Sequence, residues 1–247
     1  MKVRYFILVI LISFSSILKA QTDTLYVYGP GGPAAAIEEC AKIFSSKTSI
    51  PVKVKAGPEV EWIQGAKQNA DLIFGGSEYM LTQFTMQHEG LIDTATRTEL
   101  YKRGAAILVR PNNPKNITSL KDLTKGGIRI LDVNGAGQLG MWEDLAGRQN
   151  LIGGIQKNIY KSFPNTAMAI KAWKEDNTYD AFISYTSWYF RLKDVSTLVT
   201  IPARNTVYRG TPIAITTVTI QNSEAQLFIE FMLSKEGHAI FKKWGWE

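Results

Sequence analysis

Gly29, Gly31 and Gly32, interleaved with Pro30 and Pro33, are the residues whose type and spacing best suit a chemical task, the cradling of an anion. Glycine carries no Cβ, so a ligand can approach the backbone amides closely, and the prolines stiffen the loop. The loop follows residues 25–28, a β-branched and aromatic run that reads as a strand. It precedes a segment in which Ile37, Cys40, Ala41 and Phe44 recur at i, i+3, i+4 and i+7, the spacing of one apolar helix face. Pro33 stands where that helix begins. Unpaired N–H groups of a helix's first turn and the positive end of its dipole attract negative oxygen atoms. An ordinary βα turn also uses glycine, so a plain connection fits the same residues.

Two loops of the same kind follow. Residues 51–55, PVKVK, alternate as a strand and end at Ala56, Gly57 and Pro58, ahead of a helical-looking stretch at 59–69. Residues 71–74 form a third short strand. Gly75, Gly76, Ser77 and Glu78 then open a helix at 79–88, with Ser77 placed to cap it or to offer a hydroxyl to a ligand. Further on, a strand at 128–133 runs into Asn134, Gly135, Ala136, Gly137, Gln138, Leu139 and Gly140, and then into a helix at 141–148. The three glycines match the G-x-G-x-x-G spacing of dinucleotide loops. That pattern expects an acidic residue about 20 positions on, at the end of a second strand. Glu143, Asp144 and Glu175 all fall in expected helices instead, so the loop suits a single anionic group. Residues 162–166 lead into a helix at 167–175, which places Thr166 at its start, and a strand at 180–185 delivers Ser184, Tyr185 and Thr186 to its end.

These loops need a scaffold that gathers them, and in open parallel sheets they lie together at the carboxyl ends of the strands, where α/β proteins bind ligands. Residues 104–110, GAAILVR, make an apolar strand stopped by Pro111, Asn112, Asn113 and Pro114, and a short polar helix follows at 117–123. Residues 207–219 carry a long β-rich run. Next come an amphipathic helix at 224–233, with Ala225, Phe228, Ile229 and Met232 on one face, and a closing aromatic segment at 241–246. The order implies two α/β lobes whose strand ends face each other across a cleft. The first lobe carries Gly31, Gly32, Gly57, Pro58 and Ser77; the second carries Gly135, Ala136, Gly137, Thr166 and Tyr185. Arg204 and Arg209 lie near the return crossing between the lobes. Either guanidinium suits a bidentate counter-charge for carboxylate or phosphate, and a solvated surface role suits them equally. Trp62, Trp142 and Trp188 serve as pocket walls or as packing.

Composition narrows the classes. At 247 residues the chain can pack a core in each lobe. Lys2 and Arg4 precede an apolar run at 5–18, and Leu18, Lys19 and Ala20 suit cleavage after Ala20, the pattern of a secretory signal peptide over residues 1–20. No later stretch approaches the roughly 20 apolar residues of a membrane span, so the mature chain is expected outside the bilayer. Of the formal charge of +6, Lys2, Arg4 and Lys19 belong to that leader, which leaves 25 basic residues against 22 acidic. So mild an excess argues against nucleic-acid binding and suits a protein that handles small anions. Cys40, the sole cysteine, lies on the apolar face of the first helix and reads as a buried structural thiol. His88 and His238 have no nearby Cys or His to complete a zinc site. Ser77, in Gly75-Gly76-Ser77-Glu78-Tyr79, lacks the flanking spacing of a G-x-S-x-G nucleophile elbow, and no Walker loop is present. No catalytic, metal or cofactor constellation can be assembled, so the chain is expected not to be an enzyme.

In order along the chain, Tyr28-Gly29-Pro30-Gly31-Gly32-Pro33, Ala56-Gly57-Pro58 with Trp62, and Asn134-Gly135-Ala136-Gly137-Gln138 with Trp142 resemble the accessory colonization factor AcfC group of periplasmic solute-binding proteins. The resemblance runs from Leu25 to Trp246 and extends to the sulfate- and molybdate-binding proteins of ABC transporters. It implies the type 2 periplasmic-binding fold, two α/β lobes joined by two crossing strands around a ligand cleft, with one lobe from residues 21–104 and 213–247 and the other from 105–212. It also implies a periplasmic protein that binds a sulfate-like oxyanion or a phosphorylated or carboxylic acid, with no cofactor, for an ABC-type permease. An adhesin or colonization factor on the same fold is the alternative. A homodimer is left open. By analogy the ligand touches Gly31, Gly32, Gly57, Pro58, Ala136, Gly137, Thr166 and Tyr185. Oxyanion binders often place serines in the first two loops, whereas Gly31, Gly32, Gly57 and Pro58 offer only backbone and leave room for a bulkier anion.

Overall fold

The computed structural model describes residues 23–247, so the leader expected over 1–20 and its cleavage after Ala20 lie outside the described residues. From the amino end, β1 (Leu25–Gly29) leads to α1 (Ala34–Thr48), β2 (Val52–Ala56) to α2 (Ile63–Asn69), and β3 (Leu72–Phe74) to α3 (Glu78–Gln87). The long strand β4 (Thr98–Val109) comes next. It is followed by β5 (Ile130–Val133), α4 (Met141–Gly147), α5 (Ile152–Gln156), β6 (Ile159–Phe163), α6 (Thr166–Glu175), β7 (Ala181–Tyr185), α7 (Thr186–Leu192) and β8 (Thr197–Thr200). β9 (Tyr208–Ile215) returns the chain to the first lobe, and α8 (Asn222–Leu233) and α9 (Lys235–Lys243) complete it.

The strands run in the order β2-β1-β3-β9-β4-β7-β5-β6, with β8 on β4. β4 belongs to both lobes. Its first half pairs antiparallel with β9 as far as Gly104 opposite Tyr208. From Ala105 opposite Tyr185 its second half pairs with β7 and, on the other edge, with β8. The return crossing lies alongside: the Ala105 amide donates to the Val207 carbonyl at 2.9 Å, and the Thr206 hydroxyl donates to the Ala105 carbonyl at 3.0 Å. Two adjacent connections of this kind let the lobes rotate about a narrow waist.

Alternation along each strand divides the core. In the first lobe Leu25 and Val27 pack with α1, α8 and α9 through Ile37, Phe44, Phe228 and Phe241, while Tyr28 and Ile73 face Trp62, Leu81 and Phe84 on the other side of the sheet. The second lobe packs Ile130, Val133, Trp142, Leu145, Trp173, Phe182 and Trp188 around β5 and β7. Cys40 is fully buried, and burial pushes its thiol up to about 12, so it is an inert packing residue at neutral pH. Among the described residues no helix is long and apolar enough to cross a membrane.

Several elements differ from the expectation. The stretch at 59–69 is broken at Trp62, whose φ of −130° separates a 3-10 turn (Glu59–Glu61) from α2; its indole N–H donates to the Gly57 carbonyl at 3.1 Å. The helix expected at 117–123 is a 3-10 turn (Leu120–Thr124), in which the Asp122 carboxylate gathers the amides of Thr118 and Ser119, both at 2.9 Å. β4 starts six residues before the apolar run, because Glu99, Lys102 and Arg103 make its first half polar. α5, β6, α7, β8 and α9 are elements the sequence reading does not predict. β6 is an edge strand with Tyr160, Lys161 and Ser162 exposed, which hides its alternation.

Candidate functional site

The loops after β1, β2 and β3 form one wall. No side chain caps α1, whose N-cap is Pro33. A Cβ on Gly31 would meet nothing within 4 Å, so its face of the loop is open. Gly57 carries φ +154°, a conformation that favours glycine, and its amide donates to the Gly29 carbonyl at 3.0 Å, which ties the second loop to the first. Pro58 begins the 3-10 turn that follows. Ser77 is buried and caps α3, its hydroxyl accepting from the Met80 amide at 3.1 Å. Of the two roles open to Ser77, the structure places it in the cap.

The loops after β5, β6 and β7 form the facing wall. Gly135 lies so close to the β6 loop that a Cβ would stand 2.3 Å from the Pro164 carbonyl oxygen. Ala136 and Gly137 belong to a single 3-10 turn (Ala136–Gln138). The Gln138 amide group donates to the Thr166 hydroxyl at 2.9 Å, which couples this turn to the start of α6, itself capped by Asn165. Tyr185, fully buried, donates its hydroxyl to the Gly137 carbonyl at 2.6 Å. Burial raises its pKa, so it remains a neutral donor.

The walls touch at three places. A Cβ on Gly137 would lie 3.0 Å from the Gly76 carbonyl oxygen. One on Gly32 would lie 3.8 Å from the Trp188 indole. Arg191, stacked 4.8 Å from the Trp188 ring centre, donates across the cleft to the Gly31 carbonyl at 2.8 Å. The structure therefore gathers Gly31, Gly32, Ser77, Gly137 and Tyr185 where the lobes meet, with Gly57 and Thr166 attached through one hydrogen bond each. Trp188 stands at this junction, while Trp62 and Trp142 are core residues of the two lobes.

Arg209 is paired with Asp144 at 2.7 Å, an ion pair that links the start of β9 to α4, and Arg204 is exposed on a 3-10 turn (Ala203–Asn205). The cation that lies beneath the junction is Arg103, 2 % exposed, which donates to the carbonyls of Gly76, Arg209 and Gly210. Sequence reasoning passed it over, as it did Gln138 and Arg191. Its only signal was an arginine next to the apolar run at 104–110. The buried polar atoms without a partner among the described residues include Arg103 Nε, Glu78 Oε2 and Gln138 Oε1, all carried by residues of this junction. Buried polar atoms are nearly always hydrogen-bonded, so these atoms retain capacity for a further partner.

The His88 ring N–H donates to the Glu59 carboxylate at 2.7 Å and the ring packs on Phe84, and His238 stacks on Tyr101. Among the described residues no cluster of three His, Cys, Asp or Glu side chains could hold a metal.

The chain matches the family described as bacterial extracellular solute-binding protein over residues 25–247. Among solved structures it is similar to L-phospholactate-bound PEB3, with 34% identity and a TM-score of 0.84 over 90% of this chain and 99% of that one. It is similar to Peb3 from Campylobacter jejuni at 33% identity and a TM-score of 0.82, over 90% of this chain and 99% of that one. The sulfate-binding protein SubI from Mycobacterium tuberculosis H37Rv shares the fold, at 17% identity and a TM-score of 0.75 over 90% of this chain and 86% of that one. No curated protein matches the chain.

Proposed function

We propose that this chain, which belongs to the bacterial extracellular solute-binding proteins, closes its two lobes on one small anion in the periplasm and presents it to an ABC-type permease. The observation that carries the reading is the junction itself. Loops from opposite lobes meet at Gly76 and Gly137, and the amides of Gly32 and Ser77 have no partner among the described residues. A site completed only when the lobes meet couples binding to closure, which is what a permease can read.

The donors on offer are backbone amides, those of Gly32 and Ser77 among them, which suit oxygen-rich anions. Gly31 and Gly32 leave space beside those donors, which favours a phosphorylated or carboxylic acid over a bare tetrahedral oxyanion. The L-phospholactate of the PEB3 structure supports that class. We assign the chain to the accessory colonization factor AcfC group on the loop motifs, with Gly31, Gly32, Gly57, Pro58, Ser77, Gly135, Ala136, Gly137, Thr166 and Tyr185 as ligand-facing or ligand-positioning residues. Arg209 shapes the rim through Asp144.

Thermal unfolding of the ligand-stripped protein with L-phospholactate, citrate, sulfate, molybdate and phosphate tests the reading. A ligand at about 100 times its dissociation constant adds about 2.7 kcal/mol of apparent stability. A selective upward shift with one anion class is the expected result. A flat panel contradicts anion binding and turns attention to a surface-adhesion role.

A further inference from the structure

Arg103 sits on β4 one residue before Gly104, where the strand passes from one lobe to the other. It touches both. One amino group donates to the carbonyls of Arg209 at 3.2 Å and Gly210 at 3.1 Å on the returning strand, and the other donates to the Gly76 carbonyl in the β3 loop. The guanidinium lies 4.0 Å from the ring centre of Tyr185, whose hydroxyl holds Gly137, and 4.3 Å from that of Trp246.

We propose that Arg103 is a positioning residue for the anion site: it holds the Gly76 loop of one lobe beside Tyr185 and Gly137 of the other, and its charge strengthens the hold on an anion in proportion to that anion's charge. The inference rests on the anion-binding reading above and names the buried cation behind it.

The physical case is one of incomplete compensation. A guanidinium removed from water needs its charge offset, and burial without an ion pair is costly. Carbonyl oxygens and ring faces surround this one, and no carboxylate forms an ion pair with it among the described residues. Glu78 is the carboxylate whose field reaches it, with one oxygen already accepting from the Gly210 amide at 2.6 Å; Tyr185 faces it as a neutral phenol, and Arg209, paired with Asp144, adds a like charge. Burial lowers the Arg103 pKa to about 10, so it remains a cation at neutral pH. An anion arriving between Ser77 and Gly137 supplies the missing charge. The peptide that joins Gly76 to Ser77 carries the effect, since its carbonyl is held by the cation and its N–H has no partner. A hydrogen bond at one end of a peptide strengthens donation from the other.

Titration calorimetry of the full chain with L-phospholactate at pH 5 and pH 8 tests this, because a phosphate monoester loses its second proton near pH 6. The same molecule then arrives with one charge fewer or one more. Arg103→Met should weaken binding by roughly tenfold at pH 8 and by roughly threefold at pH 5, relative to the unmodified chain. Equal losses at the two pH values mean a purely structural role and overturn the proposal, as does an unchanged affinity. Should Arg103→Met not fold, Arg103→Lys decides. It keeps the charge but not the fork, so its loss should be the same at both pH values, and a loss confined to pH 8 overturns the proposal. An unmodified chain that binds none of the anions tested overturns the anion-binding reading and this inference together. Binding that is indifferent to Arg103 overturns this inference alone.

Discussion

Two glycines of a first-lobe loop, Gly31 and Gly32, and two of a second-lobe loop, Gly135 and Gly137, are the same residue used for opposite reasons. In the first lobe Gly31 has nothing within 4 Å of its missing Cβ, and Gly32 has only the Trp188 indole at 3.8 Å. In the second lobe Gly135 is pressed against the Pro164 carbonyl at 2.3 Å and Gly137 against the Gly76 carbonyl at 3.0 Å. The first pair keeps space free for something outside the chain. The second pair lets the chain approach itself, once within a lobe and once between lobes. A glycine-rich loop therefore does not announce a ligand; the neighbourhood of each missing side chain separates the two uses.

The comparison breaks most visibly at Gly135. Gly135→Ala should lower the unfolding free energy by about 3 kcal/mol in urea titration, because a backbone carbonyl, not a flexible side chain, must move. Next comes the tether that holds the second-lobe turn. Tyr185→Phe leaves the Gly137 carbonyl without its donor and should cost about 1 kcal/mol in the same assay, with a larger proportional loss of anion affinity. Gly31→Ala should fall at the small end in stability, within about 0.5 kcal/mol or slightly stabilising, since its φ is not positive and its surroundings are open. Its anion affinity should nevertheless fall, and a variant that binds as the parent does would show that the open space is not ligand space.

A turn remote from the junction sharpens the contrast by showing a loop fixed by a carboxylate instead of by glycine. Asp122 accepts from the amides and hydroxyls of Thr118 and Ser119 and pairs with Lys125 at 2.7 Å, and these contacts hold its pKa well below the usual carboxylate range. A depressed folded-state pKa contributes stability that is present above the unfolded pKa and is lost as pH falls through the folded one. The melting temperature of Asp122→Asn should therefore lie below that of the parent at pH 7, with the gap closing towards pH 2. A gap independent of pH would assign the turn to shape rather than charge.

Much of the fold was legible because its signals are local. The three first-lobe loops and the turn at Gly135 announce themselves through glycine and proline after short apolar strands, and the bilobed type 2 periplasmic-binding fold expected from them is the one observed. What stayed hidden is non-local. Residues 98–103 carry no apolar strand signal, yet they are half of the strand that joins the lobes. Arginine is usually solvated, so nothing in the sequence says that Arg103 is buried while Arg204 is exposed. α7 follows β7 without any turn residue, which concealed Arg191 as a cross-cleft contact. The two arginines the sequence offers as counter-charges are Arg204 and Arg209, whereas the cation buried under the junction is Arg103, which only tertiary structure reveals.

The central claim is that backbone amides from both lobes hold one anion. Amide chemical shifts of the isotopically labelled, ligand-stripped chain, followed while L-phospholactate is added, test it most directly. The account predicts one saturable set of shifts that includes Gly31, Gly32, Ser77 and Gly137, while the remote Gly90 and Gly127 stay in place. Shifts confined to one lobe, or absent from all four amides at saturating ligand, would contradict it.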